Sequence, residues 1–149
     1  MKHLNLQFHV LPEPLTAKAL TNFRKDAGWD SPILDGTLSD PKAIVRWACV
    51  EMGQRRLGIV RLELAPPEFC YVGDLIIHSK FRGQGIGHWF IQHIEQYCRT
   101  MGIKRMMLHP HEGTEKFYAG LDFVPDVRVP NFLKKDVNPL QPRMFLPAL

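Results

Sequence analysis

Three glycines at alternate positions separate a strand pattern from a helix pattern in the middle of the chain. Gly83, Gly85 and Gly87 follow an apolar strand that runs to about His78, and they lead into an amphipathic helix. The apolar face of that helix holds Ile86, Phe90, Ile94, Tyr97 and Met101. Such a turn brings free backbone N–H groups and the positive end of a helix dipole to one point. The chain therefore combines α and β structure around a candidate anion site.

The spacing of these glycines argues against two common nucleotide sites. It is not G-x-x-x-x-G-K-[ST], the pattern of a P-loop, and it is not the dinucleotide pattern G-x-G-x-x-G. Arg82, directly before the first glycine, offers a guanidinium fork to phosphate oxygens. From the turn alone, a glycine-rich connection that binds no ligand stays open as the alternative.

The remaining patterns describe one domain with a mixed sheet. A half-buried strand over residues 4–10 precedes a helix that opens at Pro14 and stops near Gly28. Two strand patterns flank residues 52–54 and predict a hairpin. The strand over residues 103–109 follows a helix, so we expect it to pair in parallel with the strand before the glycine turn. A short helix at 114–120 and two short edge strands after Pro125 complete the prediction.

Composition and charge narrow the class of protein. A chain of 149 residues and 17.2 kDa, 45% hydrophobic and 23% charged, is typical of one globular domain over residues 1–149. The net charge of +4 is scattered along the chain, so we expect no nucleic-acid partner. No apolar run has the roughly 20 residues of a membrane span, and the N-terminus lacks the apolar core of a signal peptide. We therefore expect a cytoplasmic protein whose three cysteines are buried thiols.

Three motifs in register resemble those of the GCN5-related N-acetyltransferase (GNAT) superfamily. Arg82-Gly-Gln-Gly-Ile-Gly87 matches its [QR]-x-x-G-x-[GA] signature within a segment, residues 74–87, that is similar throughout to the family's strand-four-to-helix-three segment. Phe117-Tyr-Ala-Gly-Leu-Asp-Phe123 resembles the family's F-Y-x-x-L-G-F motif, with Asp122 in place of the usual glycine. Residues 56–61 resemble its third strand, so the resemblance covers nearly the whole chain.

This resemblance implies an α+β (mixed α/β) fold and acetyl-CoA as the cosubstrate. We expect a central mixed, mostly antiparallel sheet of about six to seven strands, splayed between strands 4 and 5, with helices on both faces. The cofactor-binding residues implied by the family's motifs are Leu75, Ile76, Ile77, Arg82, Gly83, Gln84, Gly85, Ile86, Gly87 and His88. The first three would pair with the pantetheine arm, and the amides from Gly83 to His88 would hold the pyrophosphate.

Tyr118 matches the family tyrosine that protonates the departing CoA thiolate. A phenol with a pKa near 10 donates a proton to a thiolate without being ionised beforehand. A tyrosine that only packs against the pantetheine arm is the alternative.

The resemblance does not supply the general base that would receive the proton of the amine. The position of the glutamate used by histone-acetylating members holds Tyr71, and Asp74 discriminates poorly because many members carry an acidic residue there. His109 is the candidate base, since imidazole titrates near neutral pH; an ordinary histidine at a strand end is the alternative. Glu63, His78 and a chain of waters stay open. His78, His109 and His111 together do not make a convincing zinc site, and we expect no metal.

The predicted function is acetyl transfer from acetyl-CoA to a primary amine of a small molecule, by direct attack in a ternary complex. Protein lysine or N-terminal acetylation is the alternative within the enzyme class, and a non-catalytic CoA-binding sensor is the alternative outside it. The loop over residues 28–35 and the hairpin over residues 130–139 are the family's acceptor-contacting parts. Within them Trp29 and Phe132 offer apolar walls, and Asp30 and Asp35 offer charge to an ammonium group. The family resemblance also leaves a homodimer open.

Overall fold

The computed structural model describes residues 5–29 and 43–137. Within them the chain forms seven strands, three α-helices and one 3-10 turn. The strands are β1 (Leu6–Val10), β2 (Ile44–Met52), β3 (Arg55–Ala65), β4 (Phe69–Ile77), β5 (Arg105–Leu108), β6 (Val124–Pro125) and β7 (Leu133–Asp136). The helices are α1 (Ala17–Asp26), α2 (Ile86–Thr100) and α3 (Glu115–Ala119), and the 3-10 turn is Ser79–Phe81.

All seven strands belong to one sheet in the order β1-β2-β3-β4-β5-β7-β6. Every neighbouring pair is antiparallel except β4 and β5, which are parallel. The predicted hairpin is confirmed, because Met52 pairs with Arg55 across the two-residue turn Gly53-Gln54. The parallel crossover through α2 is confirmed as well. The fold is therefore the mixed, mostly antiparallel sheet that the sequence predicted.

Two helices cover opposite faces of the sheet. The apolar stripe of α2, with Phe90 and Ile94, packs into one core with Val60 and Leu62 of β3. On the other face α1 is joined to the sheet through Arg24, whose guanidinium binds a carboxylate of β4. Because α2 and α1 bury the two faces of the central strands, β3 is buried from Leu57 to Ala65. The buried stretch of β3 is apolar except for Arg61 and Glu63, which are paired within the fold.

Two element predictions need correction. Helix α1 begins at Ala17 rather than Pro14, because the Thr16 hydroxyl accepts a hydrogen bond from the Ala19 amide at 3.2 Å and so caps the first turn. Of the two strands described after Asp122, β6 lies at a sheet edge and β7 does not, since β7 is inserted between β5 and β6. β7 has four residues to pair with β5, whereas β6 has two, and Pro125 in it lacks an N–H. No helix in the described part of the chain has the length and hydropathy to cross a lipid bilayer.

Candidate active site

The sheet opens between its two parallel strands. Within the described residues, the β4–β5 ladder consists of two pairs, Cys70 with Met106 and Tyr71 with Met107. β5 ends at Leu108, whereas β4 continues to Ile77 along β3. The last residues of β4 therefore extend past the end of β5, and a cleft begins where the pairing stops. This is the splay between strands 4 and 5 that was expected.

A β-bulge at Asp74 redirects the end of β4. Ile59 pairs with Ile76 and Arg61 with Gly73, so Asp74 and Leu75 together oppose Val60. Asp74 has φ 49°, a left-handed conformation that aspartate tolerates better than most residues. An extra residue in one strand shifts the alternation of side chains by one position. Leu75 and Ile77 consequently pack against the core cluster on the α2 side of the sheet.

Buried charges hold this bulge in place. The Asp74 carboxylate is 1% exposed and accepts hydrogen bonds from Arg24 Nε at 3.1 Å and Arg61 Nε at 3.0 Å. Arg61 also binds the buried Glu63 carboxylate. Gly73 makes room for this network, because a Cβ at that position would lie 2.4 Å from Arg61 Nη2. Asp74 and Glu63 are therefore bound to arginines within the fold.

The glycine turn forms the second wall of the cleft. After the 3-10 turn, Gly83 and Gly85 adopt φ values of 76° and 80°, and a Cβ at either position would meet no atom within 4 Å. Gly85 occupies the N-cap position of α2, where it has no side chain to cover the amides of the first turn. Gly87 is packed closely, since its Cβ would lie 3.2 Å from Phe117 Cζ. The open side of this turn is a cradle for an anion at a helix N-terminus.

Arg82 is fixed to the same wall. Its Nε donates to the Ile77 carbonyl at 2.9 Å, and its Nη2 lies 3.7 Å from Asp26 Oδ2. A guanidinium has five N–H donors, and the bond to Ile77 uses one of them. Its side chain is 49% exposed at the rim of the cleft. The Arg82 guanidinium is therefore held at the rim of the cleft by β4 and α1.

Tyr118 approaches the cleft from the opposite side, on α3. Its amide donates to the Thr114 carbonyl at 3.2 Å, and its ring packs edge-on against Phe117 and Phe123. The residue is 8% exposed, so its ring is fixed by packing while part of it lines the cleft. A phenol held in this way can deliver a proton to one defined point.

The cleft between these walls has a volume of about 720 Å³, within the usual range for ligand sites. Nine of the ten predicted cofactor residues line it: Leu75, Ile76, Ile77, Arg82, Gly83, Gly85, Ile86, Gly87 and His88. Tyr118 lines it too, whereas Gln84 is exposed on the turn and does not. The structure thus brings together two separate motifs that are about 30 residues apart in the sequence.

His109 lies elsewhere. It is exposed directly after β5, and its imidazole packs edge-on against Phe132 at a centroid distance of 5.4 Å. Phe132 in turn contacts the ring of Tyr71, 5.9 Å away. Among the described residues that line the cleft, His109 is not included. His109 and Phe132 therefore form a separate cluster at the end of β5.

The sequence analysis gave no site role to several residues that line the cleft. These are Ala27, Phe81, His111, Glu112, Thr114 and Phe117. His111 stacks on Trp29, with ring centroids 3.7 Å apart and planes 15° from parallel. The His-Pro-His sequence after β5 was the available signal, but it did not distinguish one histidine from the other. Of the predicted acceptor loop, Trp29 lines the cleft, while Asp30 and Asp35 lie outside the described residues.

The cysteines lie within the described part of the chain, away from solvent. All three cysteines are free and buried. Burial raises the pKa of the Cys49 thiol to about 11, and hydrogen bonding with Cys98 raises the pKa of the Cys70 thiol. No group of three or more His, Cys, Asp or Glu residues in residues 5–29 and 43–137 is arranged to hold a metal ion.

Comparison with known proteins gives a family for the chain. The sequence model described as "Acetyltransferase (GNAT) family" matches residues 8–123. No curated protein matches the chain.

Solved structures share the fold at low sequence identity. A GNAT family acetyltransferase from Elizabethkingia anophelis with acetyl-CoA bound is 11% identical, with a TM-score of 0.60 over 89% of this chain and 99% of that one. The ribosomal-protein-S18-alanine N-acetyltransferase of Escherichia coli is 8% identical, with a TM-score of 0.64 over 92% and 97%. N-acetylglutamate synthase from Neisseria gonorrhoeae with coenzyme A and L-arginine is 14% identical, with a TM-score of 0.60 over 91% of this chain and 34% of that one. These likenesses establish the fold.

Proposed function

Because the chain belongs to the GNAT acetyltransferase family, we propose that it transfers the acetyl group of acetyl-CoA to a primary amine of a small molecule. The observation that carries this proposal is the convergence of three elements on one cleft. The free end of β4, the glycine turn at the start of α2 and Tyr118 of α3 all line it. Each element offers a different interaction that an acyl-CoA substrate needs.

The residues of the cleft fit acetyl-CoA. The amides from Gly83 to His88 would hold the pyrophosphate, because the left-handed glycines leave open space in front of them. Arg82 would add a charged donor at the rim. The backbone of Leu75, Ile76 and Ile77 would pair with the amides of the pantetheine arm, since β5 ends before it reaches them. Bound acetyl-CoA would supply the activated acetyl group.

Acetyl transfer requires the chain to stabilise the oxyanion and to protonate the leaving sulfur. A backbone N–H near the end of β4 would donate to the thioester oxygen as it becomes an oxyanion, which is where electrostatic stabilisation has its largest effect. The Tyr118 hydroxyl would give its proton to the leaving sulfur. A base within the cleft or a chain of waters would receive the proton of the amine. His109, the candidate base from the sequence, does not line this cleft, so we assign it no role in the proposed reaction.

We propose a small-molecule acceptor, and the experiment below also includes a peptide as the alternative acceptor. The solved neighbours include a synthase of N-acetylglutamate and an acetyltransferase of a ribosomal protein, so the fold serves both kinds of acceptor. An aromatic wall formed by Trp29 and His111 lies at the cleft. Such a wall suits a compact amine whose ammonium or apolar part packs on the rings.

The experiment combines acetyl-CoA binding with turnover. Thermal unfolding is followed with acetyl-CoA, and with NADH and ATP as controls. Ligand at one hundred times its Kd adds about 2.7 kcal/mol of stability, or roughly 5 to 10 °C in a chain of this size. Free-thiol release is then measured with spermidine, lysine, an aminoglycoside and an alanine-initiated peptide. We expect acetyl-CoA, but neither NADH nor ATP, to raise the unfolding temperature. We expect free thiol to be released with a small amine.

Tyr118→Phe is the variant in this experiment. This variant should keep the rise in unfolding temperature that acetyl-CoA causes. Its turnover should fall about 100-fold or more, because the substitution removes the proton-donating hydroxyl and changes the volume of the side chain little. Unchanged turnover would reduce Tyr118 to a packing role. Release with the peptide alone would favour a protein acetyltransferase, and a shift without release from any acceptor would favour a CoA-binding sensor. No shift would overturn the proposal.

A further inference from the structure

We propose that His111 receives the proton of the attacking amine and that Trp29 holds the His111 imidazole in position for this step. The inference rests on the proposed acetyl transfer and assigns the base that the family motifs leave open. It gives the role to a histidine two residues beyond His109. The two histidines differ in one respect that matters for chemistry: His111 lines the cleft and His109 does not.

The position of His111 places an imidazole in the same cleft as the proposed acid. His111 lines the cleft from the β5–α3 connection, and Tyr118, seven residues further along the chain, lines it from α3. The end of β4, where the thioester would lie, lines the same cleft. His111 is half-buried, so it is reached from the cleft while it is partly shielded from bulk water. The proposed base and the proposed acid therefore line the same cleft as the end of β4.

The backbone around His111 links it to Tyr118. The His111 carbonyl accepts hydrogen bonds from the Thr114 amide at 3.1 Å and the Thr114 hydroxyl at 2.6 Å. The Thr114 carbonyl then accepts from the Tyr118 amide at 3.2 Å. Gly113, with φ 86°, permits the tight turn between them. The spacing between the two side chains is therefore set by local hydrogen bonds.

Trp29 is held just as firmly on the other side of the stack. The Gly28 amide donates to Lys25 O at 3.0 Å and the Trp29 amide donates to Arg24 O at 2.8 Å. With Gly28 at φ 79°, these bonds form a Schellman motif that ends α1 and fixes the direction of the next residue. The indole contacts the imidazole with its face, at a centroid distance of 3.7 Å. The stack therefore joins α1 to the β5–α3 connection.

The charges around the stack suit a residue that gains and loses a proton. Glu112, on the same connection, is the acidic group beside His111 at the cleft. Arg82 from the glycine turn and His88 from α2 line the cleft on its far wall, and Tyr118 lines it from α3. The indole of Trp29 carries no charge, and its face attracts a cation. An imidazolium formed at His111 would therefore meet one carboxylate and one aromatic face nearby.

The proposed step balances its atoms and protons. The amine nitrogen forms a bond to the carbonyl carbon of the thioester, and His111 takes one N–H proton from that nitrogen. The C–S bond then breaks, and the sulfur receives the proton of the Tyr118 hydroxyl. The products are the N-acetylated amine and CoA with a free thiol. Solvent returns a proton to Tyr118 and removes one from His111.

The experiment compares His111→Gln with His109→Gln, a matched pair of substitutions two residues apart. The rate of free-thiol release is measured from pH 5.5 to 9 with the amine that the wild-type protein accepts. The wild-type rate should fall toward the acidic end of this range, because a protonated imidazole cannot accept the proton of the amine. His111→Gln should lower kcat/KM by about 100-fold or more and remove this acidic fall. His109→Gln should keep both the rate, within about threefold, and the acidic fall.

Further measurements separate a chemical role from a structural one. Both glutamine variants should keep the acetyl-CoA shift in thermal unfolding, which shows that the fold and the cofactor site are intact. Trp29→Phe should retain most of the wild-type rate of thiol release. Trp29→Ala should lower that rate about tenfold, and the rate of both variants should still fall at acidic pH.

Three outcomes count against the inference. A His111→Gln protein with the wild-type rate and pH profile overturns it while acetyl transfer stands. A His109→Gln protein that alone loses the acidic fall returns the role to His109. A wild-type protein that releases no thiol with any amine overturns the proposed function and this inference with it.

Discussion

Asp26, the last residue of α1, joins that helix to the segment that precedes the glycine turn. Its carboxylate accepts hydrogen bonds from the Ser79 amide at 2.8 Å and the Ser79 hydroxyl at 2.6 Å. The Arg82 guanidinium adds positive charge, with Nη2 3.7 Å from the carboxylate, and His78 Nε2 lies 3.6 Å away. The hydrogen bond from the Ser79 side chain is the main cause that lowers the pKa of Asp26 below 3.8. One carboxylate thus organises the rim of the cleft.

This shift predicts how stability depends on pH. A folded-state pKa below the unfolded value means that the contribution of Asp26 is fully present above about pH 3.8 and is lost as the pH falls through the lower folded value. We expect Asp26→Asn to lower the free energy of unfolding by about 1 kcal/mol at pH 6. The difference from wild type should shrink between pH 4 and pH 3. Urea unfolding at each pH measures it.

Asp136→Asn is the matched control for this comparison. Asp136 forms an ion pair with Arg105 at 3.0 Å, but its side chain is 72% exposed. Exposed pairs contribute little because water and salt screen them. The control should therefore stay close to wild type at every pH. A difference for Asp26→Asn that is constant down to pH 3 would show that its negative charge is not the cause.

At the scale of the element, the start of α2 determines what the cleft can bind. Helices in this protein begin in two ways. Thr16 caps α1 with its hydroxyl, whereas Gly85 begins α2 with no side chain and φ 80°. The first arrangement uses an amide within the fold, and the second leaves amides available to a ligand. The absence of a side-chain cap is thus a feature of the site.

Gly85→Glu tests this arrangement. It places a carboxylate in front of the amides, and two unit charges about 4 Å apart repel by about 4 kcal/mol near a protein surface. We expect the Kd for acetyl-CoA to rise by about 100-fold or more, while the protein remains folded. Isothermal titration and circular dichroism measure the two properties.

Gly53→Glu controls for the cost of the substitution itself. Gly53 lies in the β2–β3 turn with φ 65°, and a Cβ there also meets no atom within 4 Å. Both variants therefore force a glutamate into a left-handed conformation on the surface. Gly53→Glu should bind acetyl-CoA as wild type does. Equal loss of binding in both variants, or no loss at Gly85, would contradict the assignment of the turn.

At the scale of the whole molecule, one buried carboxylate links three elements. Asp74 on β4 receives hydrogen bonds from Arg24 on α1 and Arg61 on β3. It also occupies the bulge that turns Leu75 and Ile77 toward the α2 side. The site therefore depends on a charge network beneath it, on the face of the sheet opposite α2.

Asp74→Asn should destabilise the protein far more than a surface change. Removing one partner from a buried charge network leaves the others uncompensated, at a cost of about 3 to 5 kcal/mol. We expect urea unfolding to show a decrease of this size in the free energy of unfolding, compared with a negligible decrease for Asp136→Asn. A stability within 1 kcal/mol of wild type would show that the arginines find other partners.

The sequence predicted the elements near its strongest local signals. The glycine spacing and the 3.6-residue apolar period located α2, and the two strand patterns around Gly53 located the hairpin. The resemblance of residues 74–87 and 117–123 to family motifs predicted ten cofactor residues and Tyr118, and nine of the ten line the cleft together with Tyr118. The predictions of α2 and the hairpin were confirmed because they depend on neighbours in the chain, whose periodicity and turn chemistry are local.

The place of β7 and the role of the Asp74 network were decided only by tertiary structure. Strand order depends on which edges pair, and the sequence of β7 does not record that β5 is its neighbour. The sequence did not reveal the structural role of Asp74, because its two arginines lie 50 and 13 residues away along the chain. Contacts between residues so far apart along the chain produce no periodic pattern in the sequence.

The two histidines after β5 show the same division most clearly. In an extended strand, residues two positions apart face the same side, so the strand pattern did not separate His111 from His109, the residue chosen as the candidate base. The structure ends β5 at Leu108, and the turn through Gly113 then carries His111 to Trp29 while His109 stays beside Phe132. Sequence alone determined that an imidazole would lie near the split in the sheet. Which imidazole faces the cleft was decided by where the pairing of β5 stops, because beyond that point the backbone is directed by contacts with distant parts of the chain.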